Sequence, residues 1–324
     1  MSFSIRAFTP DDYRAVAHTQ TTCWPDYPIS EAELRRGDDM NEPHCKLLRL
    51  VGEDAGDVVA AASYNQSMWS YHPQKFWLSW NALSPHATAT NDAALYEALL
   101  DALRPHEVTA LRMRLMETQH ERIAFAQAQG FHEERRDWES RLDVASFDVT
   151  PYADVGERVH AAGIDIQPLT ALTDDPDHRH KLWELDMELC QDVPSGDPPT
   201  GVTFEHYCKL VFDHPNLLPD AYFVALKDGA YIGMHNLWRR ENAPDWTNGL
   251  TGVRRAHRRH GVALALKLRG IAVAQAHGIP SIKTWNASNN RPMLSINEQL
   301  GFRKQPAWID YVKWFRAESL EQGA

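Results

Sequence analysis

The stretch that decides the fold is Thr251-Gly252-Val253, followed by Arg258-Arg259-His260-Gly261-Val262-Ala263 and an apolar run that continues to Val273. The pattern predicts the end of a strand, a basic turn and the first turn of a helix. Such a turn presents backbone N–H groups without intrahelical partners, the positive end of a helix dipole and flanking guanidinium groups. Together these suit a diphosphate. The chain carries a formal net charge of −11, so four arginines (Arg254, Arg255, Arg258, Arg259) within six positions need a local reason.

Working outward, the two halves of the chain repeat one another. Ile5-Arg6-Ala7-Phe8-Thr9 precedes Asp11-Asp12 and a helical pattern, and Ile166-Gln167-Pro168-Leu169-Thr170 precedes Asp174-Asp175 and Leu182-Trp183-Glu184-Leu185. Strand pairs follow, Leu47 to Val51 with Val58 to Tyr64, and Tyr222 to Leu226 with Tyr231 to Leu237, the second pair turning at Asp228-Gly229. A third strand comes next, around Phe76 to Leu83 and Thr247 to Val253, then a helix through Ala93 to Leu100 and Val262 to Ala276. Short strands at Ala110 to Leu115 and Ser281 to Trp285 lead to helices that close on Gly130-Phe131 and Gly301-Phe302. These Gly-Phe pairs lie 171 positions apart (130 to 301), close to half the chain, which is the period of a duplicated domain. Each half reads as α/β, strands alternating with amphipathic helices around a mixed sheet. The expected domains are 1–150 and 164–324, with a linker at 151–163. Leu142 to Phe147 is expected to be the last strand of the first domain, and Tyr152 to Ala162 a helix stopped by Gly163.

At 324 residues the chain has room for about two domains. Its acidic balance argues against nucleic-acid binding, which needs a basic footprint. It fits a small cationic partner better. Cys23, Cys45, Cys190 and Cys208 are scattered without a C-x-x-C pair, against a disulfide framework or zinc site. No apolar run approaches ~18 residues. The expectation is a cytoplasmic protein, monomer or homodimer, with no membrane and no metal. Asp174-Asp175-Pro176-Asp177-His178-Arg179-His180 is metal-like by composition only, and reads as a helix start with acidic first-turn residues. His257 and His260 read as surface residues.

Arg-x-x-Gly-x-Ala has little specificity alone, and a solvated surface turn competes with it. Its value rises because Asn286-Ala287-Ser288-Asn289-Asn290 and Met293 through Phe302 follow a strand and helix later. On these residues the chain resembles the GNAT superfamily of acyl-CoA N-acyltransferases. Arg258, Gly261 and Ala263 match its (Gln/Arg)-x-x-Gly-x-(Gly/Ala) motif, and Leu300-Gly301-Phe302 matches the end of its later helix. The resemblance covers both halves, as in the tandem GNAT arrangement of mycothiol synthases. It implies acetyl-CoA as co-substrate. Backbone at Thr251, Gly252 and Val253 would pair with the pantetheine arm like an added strand. N–H groups from Arg259, His260, Gly261, Val262 and Ala263 would cradle the diphosphate, with Gly261 allowing close approach. Arg258 and Arg259 would add charge-assisted contacts, and Asn286 and Asn290 amide contacts. In the first half, Ala87, Thr90 and Asp92 stand where the motif expects Arg, Gly and Gly. Asp92 would face a diphosphate with like charge, so no productive acyl-CoA binding is expected there.

The implied reaction is direct attack of an amine on the thioester. For a lysine-like amine of pKa ≈ 10.4, deprotonation at pH 7 costs about 4.6 kcal/mol, which requires a base or a water chain. A backbone N–H near Val253 would stabilise the oxyanion. The usual groups for acid and base are missing. Asn297 stands at the position of the family's Tyr, and the strand Trp246 to Thr251 has no carboxylate. Asn297, Asp245 and Glu241 are the weak catalytic candidates, and Asn297 cannot be a general acid at neutral pH. The acidic run Asp186 to Pro194, followed by Ser195 to Thr200, is expected to border the acceptor and to suit a small amine. A non-catalytic acyl-CoA-binding regulator or sensor is the alternative.

Overall fold

The computed structural model describes residues 3–315. Its first elements are β1 (Ser4–Ala7), α1 (Tyr13–Cys23), α2 (Glu31–Asp39), β2 (Leu47–Asp54), β3 (Asp57–Asn65), β4 (Lys75–Ala82), α3 (Ala89–Leu103), β5 (Ala110–Met116), α4 (His120–Ala128) and β6 (His132–Asp143). Then come α5 (Val155–Ala161), β7 (Asp165–Pro168), α6 (His178–Cys190), α7 (Phe204–Tyr207), β8 (Leu217–Lys227), β9 (Ala230–Trp238) and β10 (Trp246–Val253). The last are α8 (Val262–Ala276), β11 (Ser281–Ala287), α9 (Arg291–Gln299), β12 (Arg303–Lys304) and β13 (Trp308–Trp314). The fold class is mixed α/β, as the alternation predicts. The repeat is visible in detail at the ends of α4 and α9. Gly130 and Gly301 adopt φ of 87° and 82°, and the N–H groups of Phe131 and Phe302 reach back to the carbonyls of Ala126 and Asn297. That is one helix-stop motif used twice.

The chain divides into two compact units. The first holds the residues up to Asp137 and, in addition, those from Pro306 on; the second is Trp138–Gln305. The first unit's strands run in the order β1-β2-β3-β4-β5-β13-β6. Its core gathers Phe76, Leu95, Tyr96, Leu99, Leu111, Ile309 and Tyr311. β13 joins this unit for a physical reason. Ile309 and Tyr311 enter its core, and Asp310, buried between the flanking strands, meets Arg114 of β5 at 3.2 Å and Arg135 of β6 at 3.0 Å. All three residues occupy one cross-strand row, which fixes the register by charge as well as by hydrogen bonds.

This division departs from the expected linker at 151–163. The strand expected at Leu142 to Phe147 lies earlier, as β6. Beyond Asp143 the chain turns, with the Asp143 carboxylate accepting from the Ser146 N–H at 3.3 Å, a local bond that competes with the ladder. The connecting helix is shorter than expected, beginning at Val155 and stopping before Gly163, whose φ is 73°.

In the second unit the order is β6-β11-β10-β9-β8-β7. Alternate residues of β8 feed two cores. Tyr222 and Val224 pack with Leu182, Leu185 and Leu189 of α6, whereas Phe223 and Ala225 pack with Val262, Ala265 and Leu266 of α8. The acidic residues around Asp175 precede α6 rather than lying in its first turn, and Asp175 pairs with Lys181 at 2.7 Å. Among the described residues no helix is long and apolar enough to cross a membrane.

If β13 belongs to the first unit, removing the chain from Pro306 on should deprotect the amides of residues 110–116 in hydrogen exchange. Residues 246–253 of the second unit should stay protected. Equal loss in both segments would refute the assignment.

Candidate functional site

The site begins with two strands that part. β10 and β11 run parallel but pair only at Trp246↔Ile282 and Thr247↔Lys283, leaving their remaining lengths apart. On its other edge β10 bulges against β9 between Asn248 and Thr251. The Asn236 side chain takes up the displaced backbone, its Oδ1 accepting from the Leu250 N–H at 2.9 Å and from Trp238 Nε1 at 3.0 Å. A Cβ on Gly249 would lie 2.1 Å from that oxygen, so the bulge needs glycine there. Thr251, Gly252 and Val253 continue along the opened side toward α8.

Gly261 caps α8 with φ of 77°, and Arg259 is also left-handed at φ 66°. The first helical bond joins the Ala265 N–H to the Gly261 carbonyl, so the N–H groups before Ala265 precede the intrahelical ladder. Arg259, His260 and Gly261 are exposed, Ala263 is half-buried, and Val262 anchors the turn in the α8 core. The arginines are less open than expected. Arg258 Nε donates to the Val253 carbonyl at 2.8 Å, and its other arm pairs with Asp192. Arg255 pairs with the same carboxylate, and Arg254 Nε lies 3.1 Å from Glu188. Arg255 and then Arg258 hold the Asp192 carboxyl below its usual range. The acidic run from Asp186 to Asp192 is thus largely engaged by the chain's own groups, although the Glu188 side chain stays exposed. Asp192 and Glu188 are engaged, and Asp186 is buried beneath Tyr207 Oη at 2.9 Å and Cys190 Sγ at 3.3 Å, where desolvation pushes it up.

Across the cleft, Asn297 Nδ2 donates to Asn286 Oδ1 at 2.7 Å, and Asn297 Oδ1 is buried with no partner among the described residues. Asn290 caps α9, its side chain accepting from the Met293 N–H at 3.4 Å. Asp245 lies at the closed end but is tied to Lys283 Nζ at 2.5 Å, and Glu241 is exposed in the turn after β9. An open strand edge, a left-handed glycine before N–H groups outside the helical ladder and an orphaned buried amide oxygen suit a long, polar ligand with an anionic end. A cavity of about 540 Å³ in the same unit lies elsewhere, lined by Arg141, Tyr152, Pro280 and Arg303 among others.

In the first unit β4 and β5 also part, after Leu78↔Met113, leaving about 220 Å³ lined by Trp24, Tyr27, Asn81, Arg114, Arg122 and Trp308 among others. The helix that follows starts differently. Thr88 caps α3, and Asp92 turns inward, accepting from Trp80 Nε1 at 2.8 Å with Arg122 at 3.4 Å, rather than facing out as expected.

Sequence reasoning missed the buried group behind the bulge. Lys267 Nζ donates to Asn248 Oδ1 at 2.7 Å, Thr251 Oγ1 donates to the same oxygen at 3.2 Å, and His235 Nδ1 lies 2.8 Å from Thr251 Oγ1. Burial pushes Lys267 down to about 7, and burial together with the Lys267 charge holds His235 well below the imidazole range. Lys267 lies on one buried stripe of α8 with Ile271 and Ala274 at i, i+4 and i+7, but α8 is apolar on nearly all sides, so the sequence does not mark which face the lysine takes. An unfolded lysine titrates near 10.4. Above that pH both states are neutral. As pH falls toward 7 the unfolded chain gains a proton that the folded chain refuses, so stability is lost, by roughly 4–5 kcal/mol once pH is below about 7. Lys267→Met is therefore expected to raise the thermal midpoint at pH 7 by several degrees, with a smaller gain at pH 10. A lowered midpoint at pH 7 would contradict this.

Comparison with known proteins agrees with this architecture. Residues 180–302 match the acetyltransferase (GNAT) family. No match to a curated protein was found. A tandem GNAT protein from the clavulanic acid biosynthesis pathway superposes with a TM-score of 0.73 at 18% identity, covering 98% of this chain and 100% of that one. A GCN5-related N-acetyltransferase from Sphaerobacter thermophilus gives 0.67 at 16%, covering 97% and 96%. A glucosamine N-acetyltransferase region of a fungal multi-domain β-N-acetylglucosaminidase gives 0.69 at 13%, covering 96% of this chain and 38% of that one. The likeness reaches the superfamily and its tandem arrangement and does not single out mycothiol synthases. Residues 180–302 thus match the acetyltransferase (GNAT) family, and the chain as a whole has the fold of tandem GNAT proteins.

Proposed function

We propose that the second unit is an acetyl-CoA-dependent N-acetyltransferase for a small amine, working by direct attack on the thioester. The observation that carries this reading is the β10–β11 cleft leading to the α8 N-terminus at Gly261. N–H groups of Arg259 to Ala263 would bind the diphosphate through the unpaired end of the helix. Arg258 and Arg255 would exchange Asp192 for phosphate oxygens, and Arg259 adds a third guanidinium. The strand backbone from Thr251 to Val253, on the side where β11 has parted, would take the pantetheine amides, with Asn286 and Asn297 opposite. The bound thioester supplies the acyl group; the chain supplies orientation, exclusion of water and hydrogen-bond donors at β10.

The first unit, with Thr88 capping α3 and Asp92 turned to Trp80, is assigned no acyl-CoA. The four cysteines form no disulfide, which suits a reducing compartment such as the cytoplasm. A non-catalytic acyl-CoA sensor is the second reading, favoured by Asn297 in place of an acid and by Asp245 held on Lys283.

Two measurements on the full chain test these assignments. Gly261→Asp places a carboxylate at the helix N-terminus on a left-handed residue. It should abolish acetyl-CoA binding in calorimetry; retained affinity would refute both the site and its restriction to the second unit. A panel of small amines with free-thiol detection should show CoA release that depends on one acceptor class. Tight binding without turnover on any amine would favour the sensor.

A further inference from the structure

We propose that Lys267 is the cation that stabilises the departing thiolate of coenzyme A at the closed end of the β10–β11 cleft. The inference rests on the acyl-CoA reading and assigns a role to a residue that reading leaves idle. Asn248, which holds Lys267 Nζ at 2.7 Å, is the first β10 residue beyond the two positions where β10 and β11 pair. The Lys267 amine therefore meets β10 where the strands begin to part. Val253 lies five residues further along, about 16 Å of strand, which accommodates an extended pantetheine arm. With the diphosphate at the first turn of α8, the thiol end lies at the Asn248 end.

The charge balance at that end points the same way. Among the described residues Lys267 has no carboxylate partner. Lys283, the other buried lysine there, is neutralised by Asp245, and His235 is held neutral by its surroundings. The groups around Lys267 are Asn248 of β10, His235 of β9 and the face of Phe302, whose ring centre is 5.3 Å from Nζ. Phe302 also ties its N–H to the Asn297 carbonyl at 2.9 Å, so Lys267 packs against the helix end that carries the orphaned Asn297 amide. A buried cation without an internal anion is costly unless an anion arrives with a ligand.

The chemistry supplies that anion. When the acceptor nitrogen bonds to the carbonyl carbon, the C–S bond breaks and its electron pair goes to sulfur. The amine's proton passes to solvent, and the thiolate, lacking an acid at Asn297, is held by the field of Lys267 until it is protonated. Burial lowers Lys267 to about 7, close enough to a thiol's ordinary value near 8.5 for the two groups to compete for one proton. Lys267 acts through its charge and is a positioning residue of the leaving-group site.

The test uses CoA itself, so no acceptor is needed. The thiol of CoA bound to the full chain is titrated by thiolate absorbance, with the desulfo-CoA complex as the blank. The bound thiol should titrate about one to two pH units below free CoA, and Lys267→Met should remove the shift. In calorimetry at alkaline pH the variant should weaken CoA but leave desulfo-CoA unchanged; a merely structural lysine would weaken both. A bound thiol that titrates like free CoA in the unmodified protein overturns the inference, whether or not the variant folds. Failure of CoA to bind at all overturns the acyl-CoA reading with it.

Discussion

Two parallel strands that share hydrogen bonds for only two residues must leave backbone groups facing each other without partners. Everything in the second unit is arranged around that gap. Buried N–H and C=O groups need partners, and an opened sheet is tolerated only where something else supplies them. On the β9 side Asn236 supplies an oxygen to the bulge at Leu250. On the α8 side Lys267 and Thr251 converge on Asn248 and hold the strand just where it leaves its neighbour. Between the strands, the remaining backbone is what the proposed extended ligand would pair with. The gap is prepared by side chains from both faces of one sheet, so its width does not depend on a loop.

Charge is handled differently at the two ends of the cleft. At the outer end the guanidinium groups of Arg255 and Arg258 share one carboxylate, Asp192, in an exposed position. Water and salt screen such contacts, and an arriving phosphate can replace them at modest cost. At the inner end Lys267 is buried, and desolvation makes its amine hold a proton only weakly. On the proposed reading, anion recognition and leaving-group chemistry would be separated by the length of one strand.

Much of this was legible in residue order. The helix after the basic turn runs over Val262–Ala276 as its apolar pattern predicts, and the paired Gly-Phe stops of α4 and α9 announced the duplication. Those features are local, set by periodicity and by the left-handed glycine. The partners of the arginines were not legible, because Asp192 lies more than sixty positions away from them and the turn alone gives no sign of it. Lys267 was hidden in an apolar helix, where one polar residue reads as a surface position until burial is known. The strand ending at Asp143 was misplaced toward Phe147 because alternation continues past the side-chain bond that stops it. Composition alone does not show that Asp192 and Glu188 of the acidic stretch pair with arginines of the basic turn.

The place of β13 has a consequence for biogenesis. The first unit is begun first, but its sheet is completed by a strand about 170 residues downstream of Asp137. At ribosomal speeds of roughly 5–20 residues per second, that interval lasts on the order of ten to thirty seconds. During it β5 and β6 present unpaired edges while the whole of the second unit emerges and acquires every strand of its own sheet. The usual vectorial order is inverted: the earlier-made unit waits for the later-made one, and its exposed edges are what a chaperone would meet on the nascent chain.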